Sequence, residues 1–194
     1  MGHPRILRTS VRLLAVLVVT GMVTGAARTG YAQKVYLTQA EALRQAFPDE
    51  EVRAVPMRLD PQLRRTIERE SGVKLHPARI RCFQGLSGGS VVGYACIDHV
   101  IGKERPITYL VRIDHPSGKI ALVEVMVYRE SIGAEVRLLP FRKQFEEKTV
   151  LNPLRIHEDI RNISGATLSS RALAAGSRKM LHLYHHYLRD LPGD

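Results

Sequence analysis

The chain has no tryptophan, and its tyrosines and phenylalanines bring the aromatic content only to 6%. That excludes a broad stacking surface for single-stranded nucleic acid. Runs of one charge sign are also missing. Lysine and arginine are spread along the sequence, so the net charge of +10 suits anionic ligands, acidic partners or a phospholipid surface, and no nucleic-acid partner is expected. Cysteine is nearly absent, with Cys82 and Cys96 only. Neither has a second Cys or His at ligand spacing nearby, which argues against a zinc site there. Internal repeats, biased tracts and long linkers are lacking. The 194 residues, 44% apolar, therefore suffice for one domain with a proper core and little more.

Acids are absent from the first 32 residues, which hold Arg5, Arg8, Arg12 and Arg28. The first three precede an apolar run, Leu13 to Val19, and Gly30-Tyr31-Ala32 supplies small residues at a cleavage position. This is the layout of a signal peptide over residues 1–32, cut after Ala32. A membrane anchor needs about 20 apolar residues; Thr20, Gly21, Thr24 and Gly25 dilute this run and Arg28 ends it. The mature protein is expected to work outside the cytoplasm, in the periplasm or an equivalent space. An oxidising compartment permits a disulfide. Leu86-Ser87-Gly88-Gly89-Ser90 reads as a hairpin turn. Folding the chain about Gly89 sets Cys82 opposite Cys96, so either a cross-strand bridge or a pair of small buried thiols fits.

Residues 33–75 read as an N-terminal helical region. Thr38 caps one helix with Glu41 as its reciprocal partner, and Pro48 ends it. A weak strand is read over Val52 to Met57. Asp60-Pro61 opens a second helix that stops at Gly72. From residue 76 the hydrophobic period becomes that of strands: Ile80 to Gln84, Val91 to Ile97, Ile107 to Ile113 and Ile120 to Tyr128. A short helix over Pro140 to Lys148 follows, and a long one runs from Ser164 to about Leu188, with Leu173, Met180, Tyr184 and Leu188 on its apolar stripe. The expected fold is α+β, an antiparallel sheet with packed helices, residues 76–194 forming the main domain.

The informative stretch is Asp159-Ile160-Arg161-Asn162-Ile163-Ser164-Gly165-Ala166-Thr167-Leu168-Ser169-Ser170. Ser164 is a candidate N-cap, with Gly165, Ala166 and Thr167 in the first turn. Small residues there let a ligand approach the backbone, and first-turn amides together with the helix dipole favour an anion. A phosphate on or beside the Thr167 hydroxyl is electrostatically welcome. The same letters also suit a helix start that binds nothing.

Ser164 to Ser170 resembles the flavinylation motif of the FMN-binding domain family. That family includes the G subunit of the Rnf electron-transport complex and the C subunit of the sodium-pumping NADH:quinone reductase. Further likenesses lie upstream: Gly93-Tyr94-Ala95, Arg105-Pro106-Ile107, the turn from Ile113-Asp114 to Gly118-Lys119-Ile120, and Phe141 with Gln144-Phe145. Glu130-Ser131-Ile132-Gly133 stands where the family writes Glu-Thr-Pro-Gly beside the flavin. The resemblance implies FMN held covalently as a phosphoester of Thr167, with Ser164, Gly165, Ala166, Leu168 and Ser169 around the attachment and Glu130, Ser131, Ile132 and Gly133 as the opposing wall. It also implies two partners: an FAD-dependent flavin transferase that needs magnesium, and a membrane electron-transfer protein. Thr167 is then an attachment point, and plain electron transfer requires no catalytic acid, base or nucleophile. Arg161 occupies a position that is acidic in many members, with Asp159 two residues earlier. Two other expectations stand beside the first: a secreted binding or sensing domain of this fold without covalent flavin, and a stand-alone flavin reductase. His182 and His186, four apart on one helix face, supply only two ligands, which is too few to define a metal site, and read as a solvated basic helix end.

Overall fold

The computed structural model describes residues 33–191; the signal-peptide reading of residues 1–32 falls outside them. Thr38 and Glu41 form the expected reciprocal cap: Glu41 N–H donates to Thr38 Oγ1 (3.2 Å) and Thr38 N–H to Glu41 Oε2 (2.8 Å). They open α1, Gln39–Ala46. Asp60 Oδ1 accepts from the amides of Gln62 and Leu63 at 2.8 and 2.9 Å and starts α2, Pro61–Ser71. Gly72 ends α2 in the left-handed region at φ 68°, where glycine has no steric penalty.

Six strands make one antiparallel sheet: β1 Lys34–Val35, β2 Glu51–Val55, β3 Arg81–Ser87, β4 Ser90–Ile101, β5 Pro106–Asp114 and β6 Ile120–Tyr128. Their order is β1-β6-β5-β4-β3-β2. The expected α+β class and antiparallel meander are therefore present. Residues 33–75 add two strands to the sheet as well as two helices, β2 pairing with β3 and β1 with β6.

Side-chain alternation divides the sheet into two faces. Ala95, Ile97, Leu110 and Met126 pack with Ala42, Ala46 and Phe47 of α1. Tyr94, Cys96, Tyr109 and Val111 face the other way, toward the cluster that contains Ile67 of α2 and the last helix, α4, Thr167–His186. Gly176 allows α4 its close approach: a Cβ there would stand 2.6 Å from the Tyr109 hydroxyl. Leu173 and Met180 are fully buried along α4, as the stripe required.

Cys82 and Cys96 are paired in register and joined as a disulfide. The geometry that brings them together differs from a simple fold about Gly89. The turn is the two residues Gly88 and Gly89, at φ 57° and 83°, with Ser87 opposite Ser90. Continued evenly, that ladder would set Cys82 against Ala95. A bulge intervenes: Leu86 pairs with Val91 but Gly85 pairs with Gly93. Val92 is the surplus residue, and the one-step shift delivers Cys96 to Cys82.

After β6 the chain forms a short helix, α3, Leu139–Arg142, which tightens into a 3-10 turn over Lys143–Phe145. It is shorter than the helix read over Pro140 to Lys148. It keeps the expected anchors, with Phe141 and Phe145 buried and their rings 5.5 Å apart in an edge-on contact. Among the described residues no helix is long and apolar enough to cross a membrane.

Candidate functional site

The segment before α4 takes a form the sequence reading missed. Ser164 does not cap the helix. Gly165 sits at φ 81°, which no helical residue adopts, and Ala166 N–H closes a turn onto Ile163 O at 3.0 Å. The helix starts two residues later than that cap implies, with Ala166 as N-cap and no side-chain cap bond. Thr167 is thus the first helical residue. The first ladder bond runs from Ser170 N–H to Ala166 O (2.8 Å), so the amides of Thr167, Leu168 and Ser169 precede the ladder, where the helix dipole favours an anion.

Ser164, Gly165 and Leu168 are exposed, Thr167 is half-buried, and Ala166 and Ser169 are buried. The Thr167 hydroxyl has one fixed partner: Asn162 Nδ2 donates to Oγ1 at 2.8 Å. Asn162 Oδ1 is buried without a partner. Asn162 lay inside the segment read from sequence but was not singled out. An amide five residues before a candidate attachment hydroxyl was the available signal.

The second predicted segment does meet the first. Tyr128, the last residue of β6, donates its hydroxyl to Ile132 O at 2.6 Å and shares a 2.8 Å hydrogen bond with Ser169 Oγ. Burial raises the Tyr128 phenol above its ordinary pKa, with the Ser169 bond opposing. Gly133, at φ 96°, closes the contact. A Cβ on it would lie 2.7 Å from the Tyr128 hydroxyl, 3.0 Å from Ser169 Oγ and 3.5 Å from Ala166 Cα. Tyr128 was read only as a strand end; its place one residue before Arg129-Glu130 was the clue.

Glu130 has a different use from a bare wall. Its Oε1 accepts from the amides of Glu104 and Arg105 at 2.6 and 2.8 Å, tying the β4–β5 loop to the β6–α3 loop. Burial works to raise this carboxyl, but the backbone donors of Arg105, Glu104 and Lys103 outweigh it and hold the pKa below the ordinary value. Ser131 is exposed, and Ile132 is 72% exposed. With Leu168 at 48%, Ile132 puts apolar surface on each of the two segments that meet at Ala166 and Ser169.

Arg161 is held through its backbone and Asp159 through its carboxylate. Gln144 clasps the Arg161 backbone, accepting its N–H at 2.7 Å and donating to its carbonyl at 3.4 Å. The Asp159 carboxylate accepts from the Arg155 amide at 2.9 Å and the Leu154 amide at 3.3 Å, and pairs with Lys148 at 3.3 Å. It shapes its own loop and does not stand in for an acid at position 161.

One turn along α4 from Leu168, Ala172 and then Ala175 and Lys179 continue the same helix face and line a cavity of about 680 Å³ against β4 and β5. Its rim and walls carry Lys74, His76, Arg79, His99 and Arg129. Within it Lys179 Nζ and Asp98 Oδ2, both almost fully buried, form an ion pair at 2.5 Å. Arg129 Nη1 donates to Thr108 Oγ1 (3.0 Å) and Pro106 O (3.1 Å), while His99 Nδ1 shares a 2.9 Å bond with the same Thr108 oxygen. Burial lowers the His99 pKa, and the nearby arginines add to the effect against the pull of Asp98. The cavity is of a size suited to a small cofactor and is electropositive overall.

These features make an α+β domain whose last helix begins with three amides outside its ladder, beside exposed Ile132 and Leu168, and runs past a basic cavity. The model of the FMN-binding domain family matches residues 102–182, from the β4–β5 loop to the last turns of α4. That segment is an FMN-binding domain, and FMN is the cofactor its family takes. No curated protein matches the chain.

Proposed function

We propose that FMN is joined through its phosphate to Thr167 Oγ1, and that the protein relays electrons outside the cytoplasm to or from a membrane redox partner. The observation that carries this reading is the placement of Thr167. Its hydroxyl stands at the first position of α4, oriented by Asn162 (2.8 Å), beside amides that the helix itself does not use. Asn162 engages the oxygen as a donor, which leaves the hydroxyl proton free to depart.

FMN supplies the redox chemistry, taking up one or two electrons. The chain supplies attachment and surroundings. The amides of Leu168 and Ser169, outside the helical ladder, would offset the phosphate charge. Exposed Ile132 and Leu168 would offer apolar contact to the ring system. Arg129, Lys74 and Arg79 of the cavity would favour the negative charge that reduction adds, Lys179 being already matched by Asp98. Covalent attachment suits a protein outside the cell, where free FMN would dilute away. Loading from FAD balances if the Thr167 oxygen forms a bond to the FMN phosphorus, AMP leaves and the hydroxyl proton passes to solvent. A flavin transferase with magnesium supplies that step.

The test is the mass of the mature chain made together with a flavin transferase. Acid-precipitated protein should stay yellow and gain the mass of about one FMN less water. Arg161 in place of an acid favours a second reading, FMN held without a covalent bond. Protein that is yellow when native but colourless and unmodified after acid precipitation would establish the second and sink the first.

A further inference from the structure

The opposite end of α4 carries a second cluster. His182 and His186 share one face of the helix, their rings stacked at 6.2 Å and 14°. The sequence offers only this pair. The fold adds Glu70, from the last turn of α2, and the three residues form a group whose potential ligand atoms all lie within 4.8 Å of one another. Glu70 Oε2 is 2.5 Å from His186 Nε2 and 3.5 Å from His182 Nδ1. The other oxygen, Oε1, faces Arg69 at 3.5 Å. The carboxylate therefore divides its work, one oxygen for the arginine and one for the imidazoles. His182 Nδ1 is buried and makes no hydrogen bond, and its nearest acid is the Glu70 oxygen.

We propose that Glu70, His182 and His186 are a binding site for a zinc-type divalent ion, with water completing the coordination. Two imidazoles and a carboxylate are a donor set that zinc takes readily. Bonds of about 2.0–2.1 Å to a tetrahedral ion need ligand atoms closer together than the widest separation here. Rotation of the three side chains closes that gap, because all project from the facing surfaces of two helices already packed together. The site lies about 22 Å along the helix from Thr167, at about 1.5 Å per residue, so it is separate from the flavin and does not rest on that reading. A bound ion would fasten α2 to α4 beside the existing contact in which Arg178 Nε donates to Ser71 O at 2.7 Å.

The experiment titrates zinc chloride into the full chain, free of any histidine tag and stripped with a chelator. Calorimetry should show one equivalent bound, and the thermal midpoint should rise with zinc. Outer partners of metal ligands already cost about 10–100-fold in affinity when lost, so Glu70→Gln and His186→Gln should each weaken binding at least about tenfold. His182→Gln, whose side chain is the most buried of the three at 12% exposed, should abolish it. If that variant does not fold, the two more exposed positions carry the test alone. His185→Gln should bind as the parent does. Failure of the parent chain to take up a stoichiometric ion would overturn the proposal, as would parent-like binding in both Glu70→Gln and His186→Gln, or loss of binding in His185→Gln.

Discussion

The two ends of α4 are built on opposite terms. At the N-terminal end the chain leaves its polar groups open: Ala166 provides no side-chain cap, Gly165 and Leu168 are exposed, and three amides lie outside the ladder. At the C-terminal end tertiary contacts close in. Arg178 reaches the Ser71 carbonyl, the Tyr187 hydroxyl donates to Pro56 O and accepts from Arg58 N–H at 3.1 Å each, and Glu70 meets two histidines. A helix end with a Ser, Thr, Asp or Asn cap typically gains about 1 kcal/mol. An end that forgoes it leaves those donors open, and the family match covers that end of the helix.

The largest expected effect is at Thr167. Thr167→Val keeps the β-branched shape and removes the hydroxyl, so covalent flavin should vanish almost completely, while the unloaded protein stays folded with its thermal midpoint lowered modestly by the loss of the Asn162 partner. Flavin retained in full after acid precipitation would remove Thr167 from the site and dissolve the contrast between the two ends.

A smaller effect is expected at Gly133. Gly133→Ala places a Cβ 2.7 Å from the Tyr128 hydroxyl on a backbone at φ 96°. The loop must shift or the Tyr128–Ser169 bond must break, at a cost of about 1–3 kcal/mol. Chemical denaturation measures it; a parent-like stability would mean that the two segments are not held together there.

The smallest effect concerns acid. The folded pKa of Glu130 lies below its unfolded value. Its hold on the Glu104 and Arg105 amides is therefore complete above the ordinary carboxylate range and is lost as pH falls through the lowered folded value. Hydrogen exchange at those two amides, corrected for intrinsic rates, should speed up on acidification in the parent chain. In Glu130→Gln it should be weakly protected and insensitive to pH. Equal, pH-independent protection in both proteins would count against the clamp.

Much of the scaffold was legible because its signals are local. Thr38 with Glu41, and Asp60 with Pro61, announce helix starts through bonds made within one turn. Strands β4 to β6 show themselves by apolar period and turn residues. The start of α4 was misread because Ser164 has the right chemistry for a cap in the wrong place. Gly165 could adopt either sign of φ, which the local sequence does not decide. Thr167, the proposed attachment residue, was singled out through resemblance, yet Asn162, Tyr128 and the cavity around Lys179 and Asp98 were not. Their roles depend on partners far along the chain, which spacing does not encode. The same holds for Glu70, which lies 112 residues before His182.

The bulge at Val92 has a consequence for how the hairpin tolerates change. The disulfide spans a separation of 14 residues, one more step than a flat ladder with a two-residue tip would use. At this length the pairing of the cysteines leaves the place of the surplus residue free. The surplus residue can be stored in the strand, as it is here, or moved into the tip, where a three-residue loop over 88–90 would bring the same two sulfurs together across an unbroken ladder. Deleting Val92 would flatten the strand and leave the cysteines facing each other.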